Sequence, residues 1–385
     1  MTAETLAVTD DEAYALLVSG ALEVDFGAEL LDAHNHVVED ISAFLENGEV
    51  EHHNVADVCH GTCGVRMTKP LNWGMWGEDG ARVRFWQSLR GAGYYRKWYL
   101  GVYILTAPED QLGETPNTYD VDGYDLLHLL DRPIGDNFAL LTGTPYLIGV
   151  ITVMWAGGAI DILADPPEIP LFDWSDVALE EDLVWMLDPS SPTTFLMVVN
   201  DLFKRIAYRP LWCDLSTGKY RSEPYQDPKT KTPKWYFDVS DEQVQVVGRD
   251  RTRSVDEHSR TDYWVFVQEG MDTLATEGAG QYTVDHSEGS LFPNKDVQYL
   301  QVADQTALVV EGDRIVAEAE QYKTLIEITT APFPILDHLD TVGYNDPEAG
   351  GALLCLPSWW RIPFDGSAPD VSLEVLPWEP AEELM

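Results

Sequence analysis

The sequence predicts an α+β protein that is mainly β, and three observations carry that prediction. Stretches in the first and last parts of the chain alternate apolar with polar residues, the two-residue period of a strand with one buried face. Between them the apolar period lengthens to that of a helix. Hydrophobic residues make up 45% and aromatic residues 11% of the 385 positions, far too apolar for a disordered acidic chain and enough to fill a core.

Each element follows in order. "ALEVDFGAEL" (21–30) alternates Leu22, Val24 and Phe26 with Glu23 and Asp25. "CGVRMTKPLNW" (63–73) alternates Val65 and Met67 with Arg66 and Thr68, and "ARVRFW" (81–86) does the same. The Gly-rich "WGMWGEDG" between them suits a hairpin connection. "KWYLGVYILTAPE" (97–109) is a longer aromatic and β-branched strand. "NTYDVDGYDLLHLLDRP" (117–133) ends a strand at Val121 and opens a short helix carrying Leu126, Leu127, Leu129 and Leu130, which stops before Pro133. "TGTPYLIGVITVMWAGG" (142–158) places Thr144 as helix cap, Pro145 at the first helical position and Gly157 and Gly158 as terminators. Pro-rich "LADPPEIPLFDW" (163–174) reads as an irregular loop. In "PTTFLMVVNDLFKRIAYRP" (192–210), Phe195, Val198, Val199, Leu202, Phe203 and Ile206 share one helical face. "RPLWCDLSTGKYRSEPY" (209–225) is a hairpin turning at Ser216, Thr217 and Gly218. Polar, Pro-rich "PYQDPKTKTP" (224–233) marks a boundary, beyond which "QVQVVGRDRTRS" and "DYWVFVQEG" alternate as strands. "DQTALVVEGDRIVAEAEQYKTL" (304–325) is a helix capped by Asp304, with Leu308, Ile315, Ala319 and Tyr322 on or near one face, and "IEITTAPFPILDHLDTVGY" (326–344) returns to strand. The divisions expected are 1–120, a β domain with an N-terminal arm; 121–232, mixed α/β; and 233–385, a second β domain with a helix and C-terminal tail.

Charge excludes several functions. With 66 acidic against 24 basic residues the net charge is -42. A surface this acidic cannot neutralise phosphates broadly, which argues against a general nucleic-acid binder or an anionic-membrane binder. Lys is scarce and the acids are scattered, a pattern that suits hydration at high salt, or simply an acidic protein in ordinary salt. Residues 1–30 lack a basic start, and no apolar run reaches the roughly 18 residues that span a bilayer, so neither a secretory leader nor membrane insertion is expected. The 4 Cys do not make a disulfide framework in a chain this long, and free thiols are expected.

Two clusters bear on chemistry. In "LLDAHNHVVED", Asp32, His34 and His36 form D-x-H-x-H. On a strand the two imidazoles would point to one side and could share a divalent metal. The motif resembles the start of the barrel in metal-dependent amidohydrolases, which implies a bridging Lys or Glu, two further His and a final Asp. No Lys lies between Lys97 and Lys204, and after His60 only His128, His258, His286 and His338 remain, none at the end of a clear buried parallel strand. An amidohydrolase-like enzyme using Asp32, His34 and His36 therefore stands as the alternative to a pair of surface histidines in a strand-to-helix connection. The second cluster, "EHHNVADVCHGTC", brings His52, His53, Cys59, His60 and Cys63 together, but C-x3-C matches zinc spacing only loosely. Its plain reading is a half-buried strand with both thiols on one side. No nucleophile elbow, P-loop, dinucleotide fingerprint or H-E-x-x-H is present. No catalytic, cofactor-binding or metal-ligating residue is assigned, no cofactor is expected, and the chain is expected not to be an enzyme. Between Lys204 and Arg260, twelve basic and nine acidic residues give +3, leaving -45 elsewhere. Such a window is either a locally salt-bridged surface or a patch complementary to an acidic neighbour.

Four blocks carry a resemblance: "EHHNVADVCHGTCGVRMTKPLNWGMWGEDGARVRFW", "YDVDGYDLLHLLDRPIGD", "FLMVVNDLFKRIAYRPLWCDLSTGKYRSEPY" and "RDRTRSVDEHSRTDYWVFVQEG". Together with "TTAPFPILDHLDTVGY" they resemble the tail-tip (baseplate) hub proteins of long-tailed bacteriophages and archaeal tailed viruses, over about Val24 to Tyr344. The helix and hairpin from Asn200 to Tyr225 are the most specific block. The resemblance implies two tail-tube-like antiparallel β-barrel domains with a mixed α/β insertion, at the tail tip of a virion of siphovirus type. It implies a homotrimeric ring that continues or closes the tube, contacts with the distal tail protein or tail tube, the tape measure protein and tail fibre or tip proteins, and viral DNA passing through without specific binding. The chain ends soon after "VSLEVLPWEPAEELM", so a fused wall-digesting domain is not expected.

Overall fold

The computed structural model describes residues 23–55, 58–68, 81–91, 94–106, 109–110, 118–163, 170–172, 177–186, 192–226, 228–239, 252–255, 261–269, 275–287, 294–300, 302, 305–321, 324–331, 334, 336–346, 351–365, 367 and 369–376. The protein is α+β and mainly β, as expected. Eight strands open it: β1 (Glu23–Leu31), β2 (Val37–Asp40), β3 (Leu45–Val55), β4 (Val58–Met67), β5 (Arg82–Gly91), β6 (Tyr94–Leu105), β7 (Glu109–Asp110) and β8 (Tyr119–Asp125). Their neighbours run β2–β1–β5–β6–β8–β4–β3, all antiparallel, with β7 on β8. The expected connection at 73–80 lies outside the described residues. Strand β8 continues four residues past the expected end at Val121. Gly123 permits this, because a Cβ there would sit 2.7 Å from Cys63 Sγ and 2.8 Å from Leu105 Cδ2. Asp125 then ends the strand by accepting a hydrogen bond from the Leu127 N–H (3.0 Å), which starts a 3₁₀ turn over Leu126–Leu129.

The middle segment holds β9 (Phe138–Leu140), α1 (Tyr146–Ala156), β10 (Leu171–Phe172), β11 (Leu183–Trp185), α2 (Phe195–Arg205), β12 (Trp212–Cys213) and β13 (Tyr220–Ser222). Helix α1 begins one residue later than expected: Pro145, still extended at ψ 135°, flanks the helix, and Thr144 is not the cap. Thr144 instead uses its backbone, donating to Leu141 and accepting from Leu179. The expected terminators act as predicted. Gly158 has φ +68°, the Gly158 N–H reaches Trp155 O, and the Ala159 N–H reaches Met154 O, the paired bonds of a Schellman end. Helix α2 is capped by Thr194, whose hydroxyl accepts from the Met197 N–H (3.2 Å), and it buries Leu196, Val198, Val199, Leu202 and Phe203. These residues and α1's Leu147, Val150, Val153 and Met154 form a core that also takes in Leu31 and Val102 of the first sheet.

The last part contains β14 (Trp235–Asp238), β15 (Thr252–Val255), β16 (Tyr263–Gln268), β17 (Thr276–Glu277), β18 (Gly280–Asp285), β19 (Lys295–Leu300), α3 (Gln305–Gln321), β20 (Thr324–Thr329), β21 (Val342–Asp346), β22 (Gly351–Pro363) and β23 (Asp370–Val375). Strands β16 to β19 make a separate four-stranded sheet covered by α3, with Trp264, Phe266, Leu308 and Val316 buried between them. The expected cap Asp304, Tyr322 and most of the strand at 243–254 lie outside the described residues. Strand β22 organises the rest. It pairs with β21 at its start and β23 along its middle, and its last five residues, Trp359 to Pro363, pair antiparallel with β3. The outer β regions thus share one sheet and one core, in which Val50, Phe85 and Tyr103 lie with Phe237, Trp360 and Leu373. Among the described residues no helix is long and apolar enough to cross a membrane.

Candidate functional site

The D-x-H-x-H residues lie in the turn between β1 and β2 rather than on a strand. The reason is the aspartate. Asp32 Oδ1 accepts from the backbone N–H groups of His34 (2.8 Å) and His36 (2.9 Å), and Oδ2 meets His36 Nδ1 at 3.1 Å. Folding the chain this way leaves both imidazoles on the surface, with ring centroids 6.3 Å apart. Desolvation is the largest single influence on this carboxylate and pushes its pKa up, but the hydrogen bonds from His36 and His34 together outweigh it and hold the group below its ordinary value. The residue that the turn puts to use is the one between the histidines. Asn35, at φ +63°, accepts from Arg82 Nη1 (2.7 Å) and donates to Thr217 O (2.8 Å), while Arg84 donates to Ser216 O (2.8 Å). The turn at 214–219 is thereby docked on the first sheet. Gly218 (φ +67°) is required there, since a Cβ would fall 2.9 Å from Val102 Cβ. Asn35 gave no sequence signal beyond its tolerance of left-handed backbone.

The second cluster is brought together, along with partners no motif pointed to. His52 in β3 faces Trp360 of β22 across the seam, stacked at 4.9 Å. His338, from the loop before β21, meets His52 edge-on at 5.7 Å and lies 5.4 Å from the same indole. Both imidazoles are buried. Tyr103 donates its hydroxyl to Leu100 O (3.0 Å), so it can only accept at its long contact with His52 Nε2 (3.5 Å), which places the His52 proton on Nε2. Outside this pair, His53 and His60 stack at 4.6 Å as direct cross-strand neighbours. Beneath it, Asp125 accepts from the Gly61 (2.6 Å) and Leu127 (3.0 Å) N–H groups. The loop is fixed by Leu339, at φ +69° and buried with Trp212, and by Asp340, which receives Lys234 Nζ (3.3 Å) and Trp235 Nε1 (3.4 Å). All three parts of the chain meet here.

The electrostatics of this seam are those of a dry interior. Burial pushes His52 down to about 3 and His338 well below the ordinary imidazole value, so both are neutral near pH 7. Burial also pushes Asp125 up to about 7, against its two backbone donors. It raises Asp337 to about 6, with Asp340 adding to the effect. The thiols of Cys63 and Cys213 and the Tyr103 phenol are driven well above their usual values by the same desolvation. The two thiols and the phenol therefore stay protonated and are not nucleophiles at neutral pH. Cys63, Cys213 and Cys355 are free and buried. Among the described residues no three His, Cys, Asp or Glu side chains are placed to hold a metal ion.

Five cations of the basic window form local ion pairs, while Arg209 donates to the Gln226 carbonyl. Lys204 meets Glu311 (3.6 Å), Arg205 meets Asp201 (3.2 Å), Arg221 meets Asp214 (3.0 Å), Lys231 meets Glu223 (3.7 Å) and Lys234 meets Asp340 (3.3 Å). The salt-bridged surface is the reading these contacts support; Arg249, Arg251 and Arg260 lie outside the described residues. The apolar surface lies on the middle segment. Ile148 and Trp155 are exposed on α1, along with Leu141, Met186 and Met197 nearby in sequence. Residues 137–160 contain no charge at all. A helix apolar all round is an element that expects a neighbour.

No protein-family model and no curated protein matches the chain in sequence. Solved structures do match in shape. A tail protein from Neisseria meningitidis MC58 superposes with a TM-score of 0.64 over 91% of this chain and 96% of its own, at 10% identity. The prophage MuSo2 43 kDa tail protein from Shewanella oneidensis gives a TM-score of 0.59 over 91% and 98%, at 13% identity. Prophage tail protein gp18 from Listeria monocytogenes EGD-e gives 0.51 over 90% and 94%, at 10% identity. At such identities the likeness is one of fold, and it runs nearly end to end through both chains: this protein has the fold of phage tail proteins.

Proposed function

We propose that the chain is a structural component of a viral tail tip, a hub whose three copies form a ring that continues or closes the tail tube and links it to tip or fibre proteins during DNA delivery. The observation that carries this reading is the fold shared with tail proteins over about nine-tenths of this chain and nearly all of theirs. The physical chemistry agrees. A ring wall needs uncharged, aromatic-bearing contact surface, and the exposed face of α1 with Trp155 supplies some. A bore that passes DNA needs no cations to hold it, and five of the cations in the basic window, Lys204, Arg205, Arg221, Lys231 and Lys234, are engaged by acids. In this reading the three units are 1–120, 121–232 and 233–385, the outer two being tube-like, and the histidines of the seam serve architecture rather than catalysis. The neighbours would be the distal tail protein or tail tube, the tape measure protein and the fibre or tip proteins.

Copy number tests the ring. Native mass spectrometry of the purified chain in volatile salt of high ionic strength should give three times the 43.2 kDa protomer mass. A monomer or even-numbered assembly at micromolar concentration, with the fold intact, would exclude the trimeric ring.

A further inference from the structure

We propose that the junction of the two outer β regions is a proton-operated latch, closed while the facing rings of His52 and His338 are neutral and released when both take up protons. The two rings are 1% and 6% exposed, meet each other edge-on, and both pack on one indole, Trp360. Each keeps an Nδ1 that is buried without a hydrogen-bond partner. A neutral imidazole tolerates this, because one ring nitrogen is a bare lone pair. An imidazolium must donate from both nitrogens. Protonation would therefore add an unsatisfied buried N–H to a buried charge, twice, in rings already in contact.

Among the described residues, the group that favours a charged His52 is the Leu100 carbonyl, and burial outweighs it. From β3 itself comes His53 and from β4 His60, both further imidazoles whose burial lowers their own affinity for protons. From β6 come the Tyr103 hydroxyl and the Leu100 carbonyl, which already bond each other. Cys63 of β4 and Cys213 of β12 stay protonated. Arg361, beside Trp360 on β22, is committed to Glu49 and Asp370. Two buried carboxyls adjoin the backbone of the pair: Asp125 at the end of β8, which accepts from Gly61 opposite His52, and Asp337, which accepts from the His338 N–H. Burial pushes them up to about 7 and about 6, so on acidification they become neutral before the histidines charge and supply no counter-ion. The latch acts on the pairing of Trp359–Pro363 with Glu49–His53, the ladder that ties β22 to β3.

The sign follows from linkage. A histidine with a folded pKa below its unfolded value of about 6.5 contributes stability that is complete above that value and is lost as pH falls toward the folded pKa. At pH 5 each ring favours the open seam by about thirty-fold, so the pair favours it by about a thousand-fold. Hydrogen exchange on the full chain, corrected for the intrinsic pH dependence of amide exchange, tests this between pH 7 and pH 5. The β3 and β22 amides of the seam should lose protection, while those of the β5–β6 ladder hold. His338→Gln, which keeps a polar side chain but cannot titrate, should cut the pH dependence of seam opening by about thirty-fold. Parallel loss of protection in both ladders, or an unchanged pH dependence in the variant, would overturn the proposal. If the variant does not fold, ring NMR of the histidine-labelled wild type decides. Two imidazoles that stay neutral until the seam amides exchange support the latch, whereas titration near 6.5 with the seam still protected contradicts it.

Discussion

At the residue scale, the side chains that looked chemical are occupied in building. Asp32 spends both oxygens on its own turn, and the function of that turn falls to Asn35, which holds the 214–219 hairpin against the first sheet. A D-x-H-x-H string shows the ligand types but not the backbone that would align them, and here the Asx-type bonds win over the strand. The ionic centre of the first sheet was equally hidden. Glu29 receives Arg84 (2.6 Å) and Lys97 (2.5 Å) from two neighbouring strands, and the cations lie over Tyr99 and Trp86. Removing this carboxylate would leave two partly buried cations unpaired. Glu29→Ala should cost about 2–3 kcal/mol in urea unfolding, and a loss below about 0.5 kcal/mol would show the cluster to be ornamental. Glu374 gives a pH prediction of opposite sign to the histidines. Burial raises it from 4.5 to about 7, so its contribution favours the fold in acid and is lost as pH climbs from about 4.5 through 7. Glu374→Gln should therefore gain about 3 kcal/mol over wild type at pH 8 and nothing at pH 4. Equal differences at both pH values would refute the assignment.

At the element scale, what was legible in the sequence was what is local. Helix α2 could be read from its apolar face; the structure adds its Thr194 cap, and Thr194→Ala should lower stability by about 1 kcal/mol in thermal or urea unfolding. The hairpin of β12 and β13 was legible from Gly218 and its polar neighbours. The end of α1 was legible from its two glycines, and its start was misplaced by one residue because Pro145 can sit either at the first turn or just before it. Non-local pairing left no such trace. Glu49 and Arg361 meet across 312 positions of sequence, and no period or cap announces which distant strand will lie beside β3. His338 reads as part of a strand and Trp360 lies in a stretch to which the sequence assigns no element, although both complete the cluster begun by His52.

At the scale of the whole molecule, the class was legible because two-residue and helical periods divide the chain cleanly, while the sharing of one sheet by its two ends was not. Net charge is the other property of this scale. With -42 per chain, three copies would carry about -126, and local pairs such as Lys204–Glu311 compensate only a little of it. The Debye length is about 30 Å at 0.01 M salt and about 3 Å at 1 M. Both the folded chain and its assembly should therefore strengthen with salt, the thermal midpoint rising by several degrees over that range and the assembly loosening on dialysis to low salt. A midpoint and assembly state indifferent to salt would mean that the acidic surface is compensated by contacts outside the described residues. Location tests the account most directly. In the proposed role, an antibody to this chain, imaged by negative stain on tailed particles prepared from its source, should label the distal end of the tail and nowhere else. Label along the tube, on the capsid, or absent from intact particles would contradict the tail-tip assignment.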